Sequence, residues 1–158
     1  MNTARVARLT ACVTVGLAVL IGSIAGSASA SDKSIKAVIR SYDSKILVVE
    51  GHLVSAIGEY RTARNPAPVQ AALDASISVL RSLKSKIAHQ SAVAPKVKRG
   101  KAKLVKGLQS VIAAYEKLKA AFGLRAASPK AAEEQAAQAG KAVKKGRSEL
   151  REGIKLLR

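Results

Sequence analysis

His52, Ser55 and Glu59 lie three and four residues apart, a spacing that puts all three on one face of a helix. A base, a hydroxyl nucleophile and a carboxylate in that order suggest hydrolytic chemistry. A single helix, however, cannot surround a substrate with nucleophile, base and oxyanion donors at once. Metal chemistry has less support. His52 and His89 have Val49 and Lys86 three residues before them, so the Glu-x-x-His pairs of di-iron bundles are absent, and so is any His-x-x-x-His zinc spacing. The single cysteine, Cys12, lies in the apolar N-terminal segment. Glu133 and Glu134 are adjacent in the expected first turn of the fourth helix, where acidic charge favours the dipole. The glycines after residue 90 stand singly and form no phosphate loop. A haem held by Tyr60 or His52 has no evident second ligand. The sequence therefore reads as a non-enzyme with no implied metal or cofactor.

Positive charge is the chemistry that the residues do supply. Residues 95–106 contain Lys96, Lys98, Arg99, Lys101, Lys103 and Lys106 with no acidic residue among them. The whole chain has 28 Lys and Arg against 10 Asp and Glu. An excess this one-sided predicts self-repulsion and attraction to polyanions.

The elements that position these charges begin after a leader. Arg5 and Arg8 precede an apolar run ending near Ile24, and Ala28-Ser29-Ala30 offers small residues at a cleavage site. This order is that of a secretory signal peptide over residues 1–30, and it predicts a secreted or extracytoplasmic protein that can associate with the cell envelope. Retention of the run as an uncleaved anchor is the alternative. Residues 31–158 then hold no cysteine, and that length can bury a core without disulfides.

From residue 31 on, apolar residues recur at steps of three and four. Ile35, Ile39, Tyr42, Ile46, Val49, Leu53, Ala56, Tyr60 and Ala63 form the first seam, widened by Val38, Val54 and Ile57. Asn65-Pro66 reads as a helix stop and restart. The second seam is Val69, Leu73, Ser76, Leu80, Leu83 and Ile87, and Pro95 ends it. The third runs Val97, Lys101, Leu104, Leu108, Val111, Tyr115, Leu118 and Phe122. Ser128 is the expected N-cap of a fourth seam, Ala132, Ala136, Ala139, Val143, Gly146, Leu150, Gly153 and Leu157. With no strand alternation or hairpin signal, these patterns predict helices over about 32–64, 66–93, 96–124 and 129–157. Their short connections predict an all-α, up-down-up-down four-helix bundle. A three-helix bundle with a loosely packed fourth helix is the alternative, since the fourth seam is rich in small residues.

In an up-down bundle the start of the first helix, the end of the second, the start of the third and the end of the fourth share one pole. These four segments hold 19 basic and 4 acidic residues, and the other half holds 7 and 6. Lysines at helix C-termini complement the helix dipole, but those at the start of the third helix oppose it. The candidate anion-binding residues are therefore Lys84, Lys86, Lys96, Lys98, Arg99, Lys101, Lys103, Lys106, Lys144, Lys145, Arg147 and Arg151. The pattern predicts a secreted basic binding protein for an anionic polymer, an acidic membrane surface or DNA. The seam positions of Tyr42, Tyr60, Tyr115 and Phe122 leave no aromatics for base stacking. The alternatives are a structural protein that pairs its helices with a protein partner or with itself, and a small-ligand carrier.

Overall fold

A computed structural model describes residues 30–158. The leader expected over 1–30 lies outside them except for Ala30. Four helices follow in order: α1 (Ala30–Ala63), α2 (Ala67–Ala88), α3 (Pro95–Leu124) and α4 (Pro129–Leu157). They form an up-down-up-down bundle, and cross-helix contacts fix its direction. Tyr42 near the start of α1 hydrogen-bonds Ser82 near the end of α2 at 2.6 Å. Lys119 late in α3 bonds Asp74 early in α2 at 2.7 Å. Gly100 and Gly153 pair the start of α3 with the end of α4. Among the described residues, no helix is long and apolar enough to cross a membrane.

The seams form the core. Ile35, Ile39, Tyr42, Ile46 and Leu53 of α1 are buried, as are all six α2 seam residues from Val69 to Ile87. Tyr115, Leu118 and Phe122 of α3 are buried too. Tyr60 meets Phe122 edge-on at 5.0 Å between ring centroids, the arrangement that ring quadrupoles favour. Val54 departs from expectation: it is exposed on the far side of α1 and does not widen the core face.

The helix ends show how local chemistry sets the boundaries. The Asn65 side-chain oxygen accepts from the Ala67 N–H at 3.1 Å, and the Gln70 N–H reaches the Pro66 carbonyl at 3.0 Å, so α2 starts one residue later than its prolines suggest. It also stops at Ala88, five residues short of the expected 93. The Gln90 N–H turns back to Ile87 O, and Ala94 takes the extended backbone that a following proline demands. Ser128 does occupy the N-cap of α4, but its side chain makes no cap hydrogen bond, and the first turn contains no acidic residue.

α4 is not a loosely held appendage. It packs against α3 more closely than any other pair of helices does, and small residues every seven positions explain why. Gly100, Gly107, Ala114 and Ala121 on α3, and Ala132, Ala139, Gly146 and Gly153 on α4, are all buried. A β-carbon on Gly146 would lie 2.9 Å from Gly107 O, and one on Gly153 would lie 3.0 Å from Gly100 O. The small residues let the two backbones touch, so close packing replaces large side chains as the source of contact.

Candidate anion-binding pole

The bundle brings together the four segments that carry the excess charge, but it does not leave every cation to solvent. Lys103 Nζ bridges Glu149 at 2.9 Å and Glu152 at 2.8 Å, and Lys106 adds a 3.2 Å pair to Glu149. The Lys103 hydrogen bond holds the Glu149 carboxyl below its ordinary range; desolvation opposes this and Lys106 reinforces it. Hydrogen bonds to Glu152 and then Glu149 push the Lys103 ammonium up. Glu149 and Glu152 of α4 thus belong to the α3–α4 seam and partly neutralise the middle of the basic run.

Two further cations serve the fold. Lys101, half-buried in its seam position, donates to the Gln90 carbonyl at 2.7 Å and so satisfies the end of α2. Lys84 donates to the Gln109 side chain and ties α2 to α3. Arg147 is half-buried, with its Nε out of contact with water. Its charge acts on Tyr115, whose hydroxyl burial pushes far above its ordinary value, with Glu50 adding to the rise and Arg147 opposing it. Arg147 thus stands partly inside the bundle, where its charge and that of Glu50 both act on Tyr115.

Lys86, Lys96, Lys98, Arg99, Lys106, Lys144, Lys145 and Arg151 remain exposed. Beside them, between the end of α2 and the first half of α3, lies an open groove of about 700 Å³. Ala88, Ala92, Ala102 and Val105 line it, with Lys98, Lys101 and Lys106 as its cations. The early stop of α2 borders this space: residues 89–94 leave the helix, and Ala88, Ala92 of the connection and Ala102 of α3 line the opening. Sequence periodicity located the cations and missed the groove, since a loop that departs from a helix five residues early leaves no periodic signal.

The other candidate constellations do not assemble. Ser55 donates to Glu59 at 3.4 Å on the exposed face of α1, and His52 is exposed beside them. Among the described residues, no group of three or more His, Cys, Asp or Glu gathers as a metal site. No protein-family model, curated protein or solved structure matches the chain.

Proposed function

We propose that this protein binds acidic lipid at an anionic membrane surface through its basic pole. The observation that carries the reading is the groove, because it joins an apolar floor of Ala88, Ala92, Ala102 and Val105 to Lys98, Lys101 and Lys106. A polymer of phosphates or DNA would need the cations alone. An acyl chain beneath an anionic headgroup uses both.

Magnitudes favour such a two-part site. Each Lys or Arg brought to an acidic leaflet contributes about 1 kcal/mol. Lys86, Lys96, Lys98 and Arg99 together then supply about 4 kcal/mol, which is weak attachment by itself. Stable attachment takes a second signal beside the charge, and the groove offers one. The field of the whole molecule adds long-range attraction that salt screens.

Co-sedimentation with phosphatidylglycerol vesicles tests this, with phosphatidylcholine vesicles and soluble polyphosphate as comparisons. Binding to the acidic vesicles is expected to fall steeply with salt and to be lost in Lys96→Glu/Lys98→Glu/Arg99→Glu. Val105→Glu is expected to weaken vesicle binding and to spare polyphosphate binding. Affinity that ignores salt overturns the reading, and equal loss of both ligands in Val105→Glu removes the groove from it.

A further inference from the structure

The α3–α4 contact shows how this chain closes two helices at short range. Along α3 the order is Gly100, Leu104, Gly107, Val111, and along α4 it is Gly146, Leu150, Gly153, Leu157, both at steps of four, three and four. Each glycine receives an apolar side chain from the other helix: Leu157 on Gly100, Leu150 on Gly107, Val111 on Gly146 and Leu104 on Gly153. α1 has the same alternation in the opposite direction: Leu47, Gly51, Val54, Gly58. Nothing in the described chain covers it. Leu47 and Val54 are 58% and 51% exposed, with Val48 beside them at 56%. A β-carbon on Gly51 or Gly58 would meet no atom within 4 Å.

We propose that this face of α1 pairs with a second copy of the chain, with the two α1 helices antiparallel about a two-fold axis. The spacing is self-complementary in that orientation. Leu47 falls on the partner's Gly58 and Val54 on the partner's Gly51, and the symmetry repeats both contacts. A parallel two-fold pair instead sets Leu47 against its own copy and leaves a hole at each glycine.

Charge favours this pairing over one between the basic poles. The basic pole would meet a second pole in repulsion. From residue 40 to residue 61, by contrast, Asp43, Glu50 and Glu59 balance Arg40, Lys45 and Arg61. The antiparallel register also brings Asp43 alongside the partner's Arg61, which gives two symmetry-related pairs of opposite sign. The patch from Leu47 to Gly58 is about 16 Å long at 1.5 Å per residue. Its area falls below that of standard interfaces, so a dissociation constant of about 10 µM to 1 mM is expected. The pairing sends the two basic poles in opposite directions. On the acidic-lipid reading above, the dimer would bridge two membrane surfaces.

The test uses residues 31–158, which hold every core residue among the described ones. Sedimentation equilibrium over a concentration series is expected to show a monomer–dimer equilibrium that Leu47→Lys/Val54→Lys abolishes without loss of helicity. Air oxidation of Leu47→Cys/Gly58→Cys is expected to trap a covalent dimer, and Gly51→Cys/Gly58→Cys, whose positions do not face each other, is expected to give little. A monomer at every concentration overturns the proposal, as does a dimer indifferent to the two lysines or equal trapping in both cysteine pairs. Vesicle binding by Leu47→Lys/Val54→Lys is expected to persist, so failure of the dimer and failure of the lipid reading are separable.

Discussion

Leu150 lies over Gly107 so closely that a β-carbon on the glycine would stand 2.7 Å from Leu150 Cγ and 2.8 Å from the Gly146 carbonyl oxygen. One of those atoms is backbone, so no side-chain rotation relieves the clash and the two helices must part. Overpacking of this kind costs about 1–3 kcal/mol, and the better helix propensity of alanine returns about 1 kcal/mol. Gly107→Ala is expected to destabilise the bundle by up to about 2 kcal/mol in urea unfolding. Gly51→Ala, with nothing within 4 Å of its β-carbon, is expected to stabilise it by about 0.5–1 kcal/mol. Both should be measured at low micromolar protein, where α1 stands alone. A shared sign for the two substitutions contradicts the close approach of α3 and α4.

Two carboxylates give the acid limb of stability opposite slopes. Lys103 holds Glu149 below its ordinary range, so its contribution is whole above that range and is lost as pH falls through it. Burial raises Asp43, and Arg40 opposes the rise, so the Asp43 charge disfavours the fold at neutral pH and protonation relieves it. Thermal unfolding between about pH 5 and 3 is expected to show a shallower acid decline in Glu149→Gln than in the parent. Asp43→Asn is expected to be more stable than the parent at neutral pH, with the gap closing in acid. A Glu149→Gln profile that parallels the parent would remove the Lys103 pairing from the account.

The fold was legible because each seam repeats a strong periodic signal. Ile35 through Leu53 and Val69 through Ile87 meet one environment along each helix, and short connections leave little choice of topology. What was not legible depended on the partner surface. Gly100 and Gly107 look like helix-weakening residues until Gly146 and Gly153 stand opposite them. Lys103 looked like a free surface cation because the sequence does not show that Glu149 and Glu152 face it. Val54 is expected to widen the first face from its flank yet points outward, because a broad apolar face also admits residues at its edge that never reach the core.

Arg64 adopts φ 58° just beyond α1, and its N–H bonds the Tyr60 carbonyl at 3.0 Å. That left-handed stop turns the chain towards Asn65 and Pro66, and a β-carbon there costs about 1–2 kcal/mol. Glycine removes the clash and loses part of the gain to the freer unfolded chain. Arg64→Gly is expected to raise stability by about 0.5–1 kcal/mol, and Arg64→Val to lower it. Unfolding of the two variants in urea settles the sign.

Lys36 is the buried cation of the α1 start. The residue is 4% exposed, and its ammonium has no hydrogen-bond partner among the described residues. A buried charge without a partner costs more than its stem returns by packing, so the fold tolerates it at the expense of stability. Lys36→Met keeps the stem and removes the charge. It is expected to stabilise the chain by about 1–2 kcal/mol, read as a rise in Tm at neutral pH. The gain should be larger at low salt, where the neighbouring cations of the pole repel Lys36 most. A fall in Tm on substitution would mean that the ammonium is held by an anion, and addition of phosphate should then stabilise the parent and leave Lys36→Met unmoved.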